Sequence, residues 1–253
     1  MSTGLTVVGC GTAALDGERV CSGYLVEAEH TVLLLDCGPG IVYSLARHRL
    51  PWQRLTHLAL THFHTDHIGD VPALLFALQY GMYPPREEPL TIIGPRGTRR
   101  RLQAMSRAFG DYVTHASFGV NVCEIVPGGS VHAGGVELSV TRTPHTEHSI
   151  AYRVRSADCT IGYTGDTGPS ADVADFLHGV DDLVAECSVP DEQAMDIHLT
   201  PSSLAVLALR AQPRRLVVTH VYPHLERSTV PEQLRAHGWE GRTVVAADGM
   251  RLR

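Results

Sequence analysis

No two cysteines in this chain stand at CxxC spacing, although six are present, at positions 10, 21, 37, 123, 159 and 187. Their dispersal argues against a thiolate zinc site and against a disulfide framework, so reduced thiols in a cytoplasmic setting are expected. The N-terminus has no basic segment followed by an apolar core, which predicts no signal peptide. No apolar run approaches membrane-spanning length, so no membrane partner is expected. Positive charge is in deficit: 21 Lys+Arg against 27 Asp+Glu leave −6 at pH 7, which gives nucleic acid no general electrostatic hold. Neither a low-complexity linker nor a repeat of 20–50 residues interrupts the chain, and one domain over residues 1–253 is expected. What is there is ample core material, with 43% hydrophobic residues.

Alternating and continuous apolar runs lay out the elements. Leu5 to Val8 reads as a first strand ending in a glycine turn, and Cys21–Glu27 with Thr31–Asp36 as a hairpin. Cys37-Gly38-Pro39-Gly40 then turns the chain into a helix, Ile41 to Arg49. A buried strand Leu58–Leu60 precedes an apolar helix Val71 to Met82, stopped by Pro84-Pro85; that helix suits a homodimer face or simply core. Strand Leu90–Ile93 leads to a helix Thr98 to Phe109, whose Arg99, Arg100, Arg101 and Arg107 read as a solvated face rather than a phosphate patch. The second half is again strand-rich: Val120–Val126, Gly135–Thr143, Ile150–Arg155, Cys159–Thr164, Leu183–Glu186, Leu216–Thr219 and Thr243–Ala246, with helices at Ser170–Gly179 and Ser202–Ala211. Interleaved helices and a second half echoing the first predict an α/β (α+β) architecture: one four-layer αββα sandwich.

The chemistry concentrates where strand 58–60 ends, in Thr61-His62-Phe63-His64-Thr65-Asp66-His67-Ile68-Gly69-Asp70. His62 and His64 are two apart, so in extended chain their rings project to one side. Asp66 and His67 follow where a helical apolar period begins (Ile68, Val71, Leu74, Leu75, Leu78). A strand end and a helix start can thus bring three imidazoles and a carboxylate around one small volume, the donors that zinc and similar divalent ions accept.

His62-x-His64-x-Asp66-His67 resembles the dinuclear metal motif of the metallo-β-lactamase superfamily in its phosphodiesterase-type form. The resemblance covers nearly the whole chain and implies the αββα sandwich of that superfamily. It extends to His145 in Thr143-Pro144-His145, to Asp166 ending the strand Ile161–Thr164, and to His220 ending the strand Leu216–Thr219. By that analogy His62, His64 and His145 hold one Zn2+, and Asp66, His67 and His220 hold the other. Asp166 and a hydroxide bridge them; Mn2+ or Fe2+ would suit the same donors. Two dications, two carboxylates and a hydroxide leave one net positive charge, which suits a phosphodiester monoanion.

Leu183-Val184-Ala185-Glu186 followed by Asp196-Ile197-His198-Leu199-Thr200-Pro201 is similar to the ribonuclease Z branch. The resemblance implies His198 as general acid and Glu186 as the residue that orients it, with Asp66 also counted among the catalytic residues. Two departures from the tRNA-processing members stand out. Only twenty residues lie between His145 and Asp166, where those enzymes insert a long tRNA-gripping arm, and His220-Val221-Tyr222-Pro223-His224 lacks their Ser-x-Arg-Tyr. The reading is therefore a compact phosphodiesterase for a small or cyclic diester. The alternatives are a tRNA 3′-processing endonuclease, for which RNA would be the partner, a lactone, thioester or sulfate hydrolase, and a non-catalytic metal-binding module. His148, Tyr222 and His224 are expected to line the substrate pocket.

Overall fold

Two mixed sheets lie face to face in the computed structural model, which describes residues 2–253. The first takes its strands in chain order: β1 (Gly4–Gly9), β2 (Gly23–Ala28), β3 (Thr31–Leu35), β4 (His57–Ala59), β5 (Leu90–Gly94) and β6 (Val120–Glu124). β1 to β3 are antiparallel and β3 to β6 parallel. The helices α1 (Ile41–Arg47), α2 (Thr65–Ile68), α3 (Val71–Tyr80) and α4 (Thr98–Phe109) lie between these parallel strands in sequence. The second sheet contains β7 (Ser130–Ala133), β8 (Val136–Arg142), β9 (Ile150–Arg155), β10 (Thr160–Tyr163), β11 (Asp182–Glu186), β12 (Arg215–Thr219) and β13 (Thr243–Val245), laid side by side in that order. β7 to β10 form an antiparallel meander and β10 to β13 run parallel, connected through α5 (Ala171–Phe176), α6 (Pro201–Ala211) and α7 (Val230–Ala236).

The two-residue period of the strands sorts side chains into three apolar layers. Leu33 and Leu35 enter the seam between the sheets with Tyr24, Tyr152 and Tyr163, while Val32 and Leu34 meet Leu45, Leu74 and Leu75 of the first helical layer. In β12, Val217 faces the seam, and Leu216 and Val218 face Leu204 and Leu234 of α6 and α7. Strands buried on both faces need apolar residues at every position, which is why they read as unbroken hydrophobic runs. The outcome is the helix–sheet–sheet–helix sandwich expected from sequence.

Some boundaries differ from the sequence reading. β2 begins at Gly23, because the Cys21 and Ser22 amides bond to Pro39 and Asp66 carbonyls and leave the ladder. α3 stops at Tyr80, its N–H ladder closing on Gly81. β7 and α7 were not expected. β7 is a four-residue edge whose alternation, Ser130-Val131-His132-Ala133, is too short to stand out, and α7 buries only Val230 and Leu234, too few to mark a period. Among the described residues no helix is long and apolar enough to cross a membrane.

Candidate metal centre

The carboxyl ends of β3, β4, β10, β11 and β12 meet at one edge of the sandwich, the edge where parallel-strand folds present their ligands. At or just past these ends stand Asp36, His62, Asp166, Glu186 and His220. α2 adds Asp66 and His67, and the turn before β9 adds His145. Asp36 (φ +58°) and His220 (φ +52°) are held in the left-handed region, uncommon for residues other than glycine and a cost typical of functional positions. Gly38 passes directly under Asp66: a Cβ there would lie 1.9 Å from the Asp66 carbonyl oxygen.

Ligand-type atoms gather in two adjoining groups able to hold metal, each with its atoms within 4.8 Å of one another: His62, His64, His145 and Asp166, and then Asp66, His67 and His220. Asp166 lies between them. Its Oδ2 is 3.8 Å from His62 Nε2 and 3.5 Å from His145 Nε2, while its Oδ1 is 3.2 Å from His67 Nε2 and 3.7 Å from His220 Nε2. His220 Nε2 also lies 3.3 Å from Asp66 Oδ2.

The outer nitrogens of these rings are committed to donation. His67 Nδ1 donates to Asp36 Oδ2 at 2.7 Å, His62 Nδ1 to Thr61 Oγ1 at 3.0 Å, His145 Nδ1 to the Ile197 carbonyl at 2.9 Å, and His220 Nδ1 to Ser188 Oγ at 3.0 Å. Asp36 in turn accepts from the Thr61 amide, Thr61 Oγ1 and the Tyr163 hydroxyl. Each such bond fixes a tautomer that leaves Nε2 as a lone pair aimed inward, the arrangement that orients metal-binding histidines.

The interior atoms then lack partners. His62 Nε2, His67 Nε2 and Asp166 Oδ1 are fully buried without a hydrogen bond, and buried polar atoms are rarely left so. His145 Nε2 and His64 Nδ1 stand 3.0 Å apart, two acceptors unless a proton or cation sits with them. Burial, then the neighbouring His67 charge, holds the His62 pKa well below its usual value. Burial pulls His67 the same way, but the Asp166 and Asp36 carboxylates outweigh it and raise its pKa well above normal. Burial likewise opposes ionisation of Asp166, yet His220 and His67 hold its pKa well below the carboxylate range. An anionic cluster that captures a proton on its own ligand is one that divalent cations fit.

Beside this cluster, Glu186 is fully buried and accepts from the Thr167 amide (2.7 Å), the Leu199 amide (3.0 Å) and Ser188 Oγ, as well as from His198 Nδ1 at 2.9 Å. Thr200 caps α6 with a capping box immediately after His198 and Leu199, fixing the chain that carries the ring. Burial would strip His198 of its proton, but the hydrogen bond and charge of Glu186 prevail and raise its pKa. His198 also lies within 4.8 Å of ligand atoms on Asp166 and His220.

The three expected pocket residues fare differently. Tyr222 packs edge-on 5.7 Å from the His220 ring and 6.3 Å from His198, and burial followed by the Asp66 and Asp166 charges pushes its phenol up to about 12. His224 is exposed and reaches the site only through Tyr222. His148 turns away from the ligands, toward Arg96, Gly97 and Glu147. The sequence reading also passed over Asp36 and Ser188, whose roles show only when distant strand ends are brought together; the one local sign was a polar residue ending the run Leu33-Leu34-Leu35.

The chain is similar to known proteins along most of its length. A family model described as a beta-lactamase superfamily domain matches residues 31–221. A ribonuclease Z of Mycolicibacterium paratuberculosis is 31% identical over 242 residues, covering 87% of this chain and 86% of that protein. The metallo-beta-lactamase fold protein YhfI from Bacillus subtilis superposes with a TM-score of 0.87 at 23% identity, covering 98% of each chain. The human short-form tRNase Z does so with a TM-score of 0.80 at 24% identity, covering 99% of this chain and 98% of that one. With this fold and these relatives, the chain belongs to the metallo-β-lactamase superfamily, in its ribonuclease Z-like branch.

Proposed function

We propose that the protein is a dinuclear phosphodiesterase for a small or cyclic phosphodiester, with zinc as the reference metal and Mn2+ or Fe2+ suited to the same donors. His62, His64 and His145 would hold one ion and Asp66, His67 and His220 the other, with Asp166 shared between the two groups. Two such ions, when bound, polarise the phosphoryl oxygens and supply hydroxide at neutral pH.

The observation that carries this reading is the Glu186–His198 pair set beside the ligand cluster. With Nδ1 donating to Glu186, His198 keeps its other N–H free to face the site. The raised pKa keeps that proton in place until a leaving alkoxide needs it. A thioester hydrolase releases a thiolate and has little need of such an acid, whereas an alkyl phosphodiester must release an alkoxide. Asp66 ties the site together, its Oδ2 standing 3.3 Å from His220 Nε2 and its carbonyl accepting from the Ser22 amide. Metal-dependent hydrolysis is what the family and its relatives support; the Glu186–His198 pair favours a phosphodiester as the substrate.

One observation favours the RNA-processing reading as runner-up. Arg101 stacks its guanidinium 5.3 Å from the Phe63 ring centroid, between ligands His62 and His64 in sequence, so the arginine face of α4 borders the site. Against it, residues 146–165 are fully used by a turn, β9, a second turn and β10, leaving no arm there. A hydrolysis screen over cyclic nucleotides, linear diesters, precursor tRNA and lactones, with zinc or manganese supplied, tests the choice. Turnover of small diesters is expected to dominate; turnover confined to lactones or to tRNA would overturn it.

A further inference from the structure

A cleft of about 460 Å³ opens beside the metal cluster, with Thr65 and the ligand Asp66 forming one end of its wall. Its remaining surface is mostly apolar, from Ala13, Ala14, Leu15, Val20, Pro39 and Gly40. The wall is pinned in place. Gly11 N–H bonds the Val20 carbonyl at 2.7 Å, Val20 N–H bonds Asp248 at 2.7 Å, and Cys21 N–H bonds the Pro39 carbonyl at 3.1 Å. Arg19 reaches across to the Val221 carbonyl, one residue past His220, at 3.0 Å. A preformed, mostly apolar concavity touching the reactive centre is the usual form of a small-molecule site, and its volume falls in the range of such sites.

We propose that this cleft is the subsite for an uncharged, flat, largely apolar substituent of the diester, such as a nucleobase or an aryl ring. The inference rests on the phosphodiesterase reading and adds the substrate class. Charge decides between this and a second phosphate. The one cation in the wall, Arg19, is spent on Asp16 through Nε at 2.7 Å, so the wall offers no free positive charge to a second phosphate. Walls of alanine, leucine, valine and proline gain from excluding water behind a ring and offer nothing to a phosphate.

Two monoanionic phosphonate esters test it as competitors: methyl methylphosphonate and benzyl methylphosphonate, which differ only in the ring. Inhibition constants are measured against turnover of bis(p-nitrophenyl) phosphate by the metal-loaded protein. Burial of the ring should favour the benzyl ester roughly ten- to hundredfold. In Ala14→Trp, where the indole takes the same space, that preference should fall to within about threefold; the ratio is internal to the variant and independent of how much of it is active. Equal inhibition by both esters in the unaltered protein, with diester turnover intact, would overturn the subsite and leave the phosphodiesterase reading standing. An undiminished benzyl preference in Ala14→Trp would place the ring elsewhere and also overturn it. No metal-dependent turnover of any diester would remove both.

Discussion

His198 and Glu186 carry the argument at the scale of single residues. A p-nitrophenolate departs without a proton, while a ribose alkoxide needs one. His198→Ala should therefore slow hydrolysis of a cyclic nucleotide about 10²–10⁴-fold and that of bis(p-nitrophenyl) phosphate markedly less, with bound metal unchanged. Metal content matters here because His198 also lies within reach of Asp166 and His220; loss of an ion would make it a ligand. Glu186→Gln should follow the same pattern more weakly, since the ring keeps its partner but loses the charge that supports its protonated form. The pH profile has a definite sign. An acid works only while protonated, and Glu186 raises the His198 pKa, so its contribution is present below that raised value and lost as pH climbs through it. The high-pH fall in alkyl-diester turnover should vanish in His198→Ala; an unchanged profile would assign it to another group.

Elements set where these residues can stand, and they were unevenly legible in the sequence. α4 and β9 have the bounds expected from sequence, because local signals frame them: a glycine before the helix, and Ile150-Ala151-Tyr152 opening the strand. The histidine motif could be read because its spacing falls on one strand end and one helix start. Asp36 could not, since its partners His67, Thr61 and Tyr163 lie 25 to 127 residues away and meet only in the folded sheets. His148, close to His145 in sequence, stands beside Arg96 and Gly97 at the start of α4, a neighbour that only the folded chain shows. The turn Cys37–Gly40 is where an element is most exposed to a single change. A Cβ on Gly38 would sit 1.9 Å from backbone under Asp66, whereas one on Gly17 meets nothing within 4 Å. Gly38→Ala should cost at least about 1–3 kcal/mol in denaturant unfolding and weaken metal binding. Gly17→Ala should stay within about 0.5 kcal/mol. Equal stability of the two would mean that the turn does not support the site.

Across the whole molecule, charge and shape bear on substrate size. A net charge of −6 gives little purchase on a polyanion, and the chain between His145 and Asp166 offers no arm. Cleavage of precursor tRNA should have a kcat/KM far below that for a small diester. An equal or higher value, falling steeply with salt, would instead show the arginine face of α4 at work. These expectations depend on the two-ion centre proposed at the carboxyl ends of the strands. The most direct measurement is metal content per chain, by elemental analysis of protein dialysed against trace zinc, read together with diester turnover for the unaltered chain and Asp166→Ala. The account expects about two ions per chain in the former, and loss of most metal and essentially all turnover in the variant, since one carboxylate serves both ions. Background metal in the unaltered chain, or full turnover in Asp166→Ala, would contradict it.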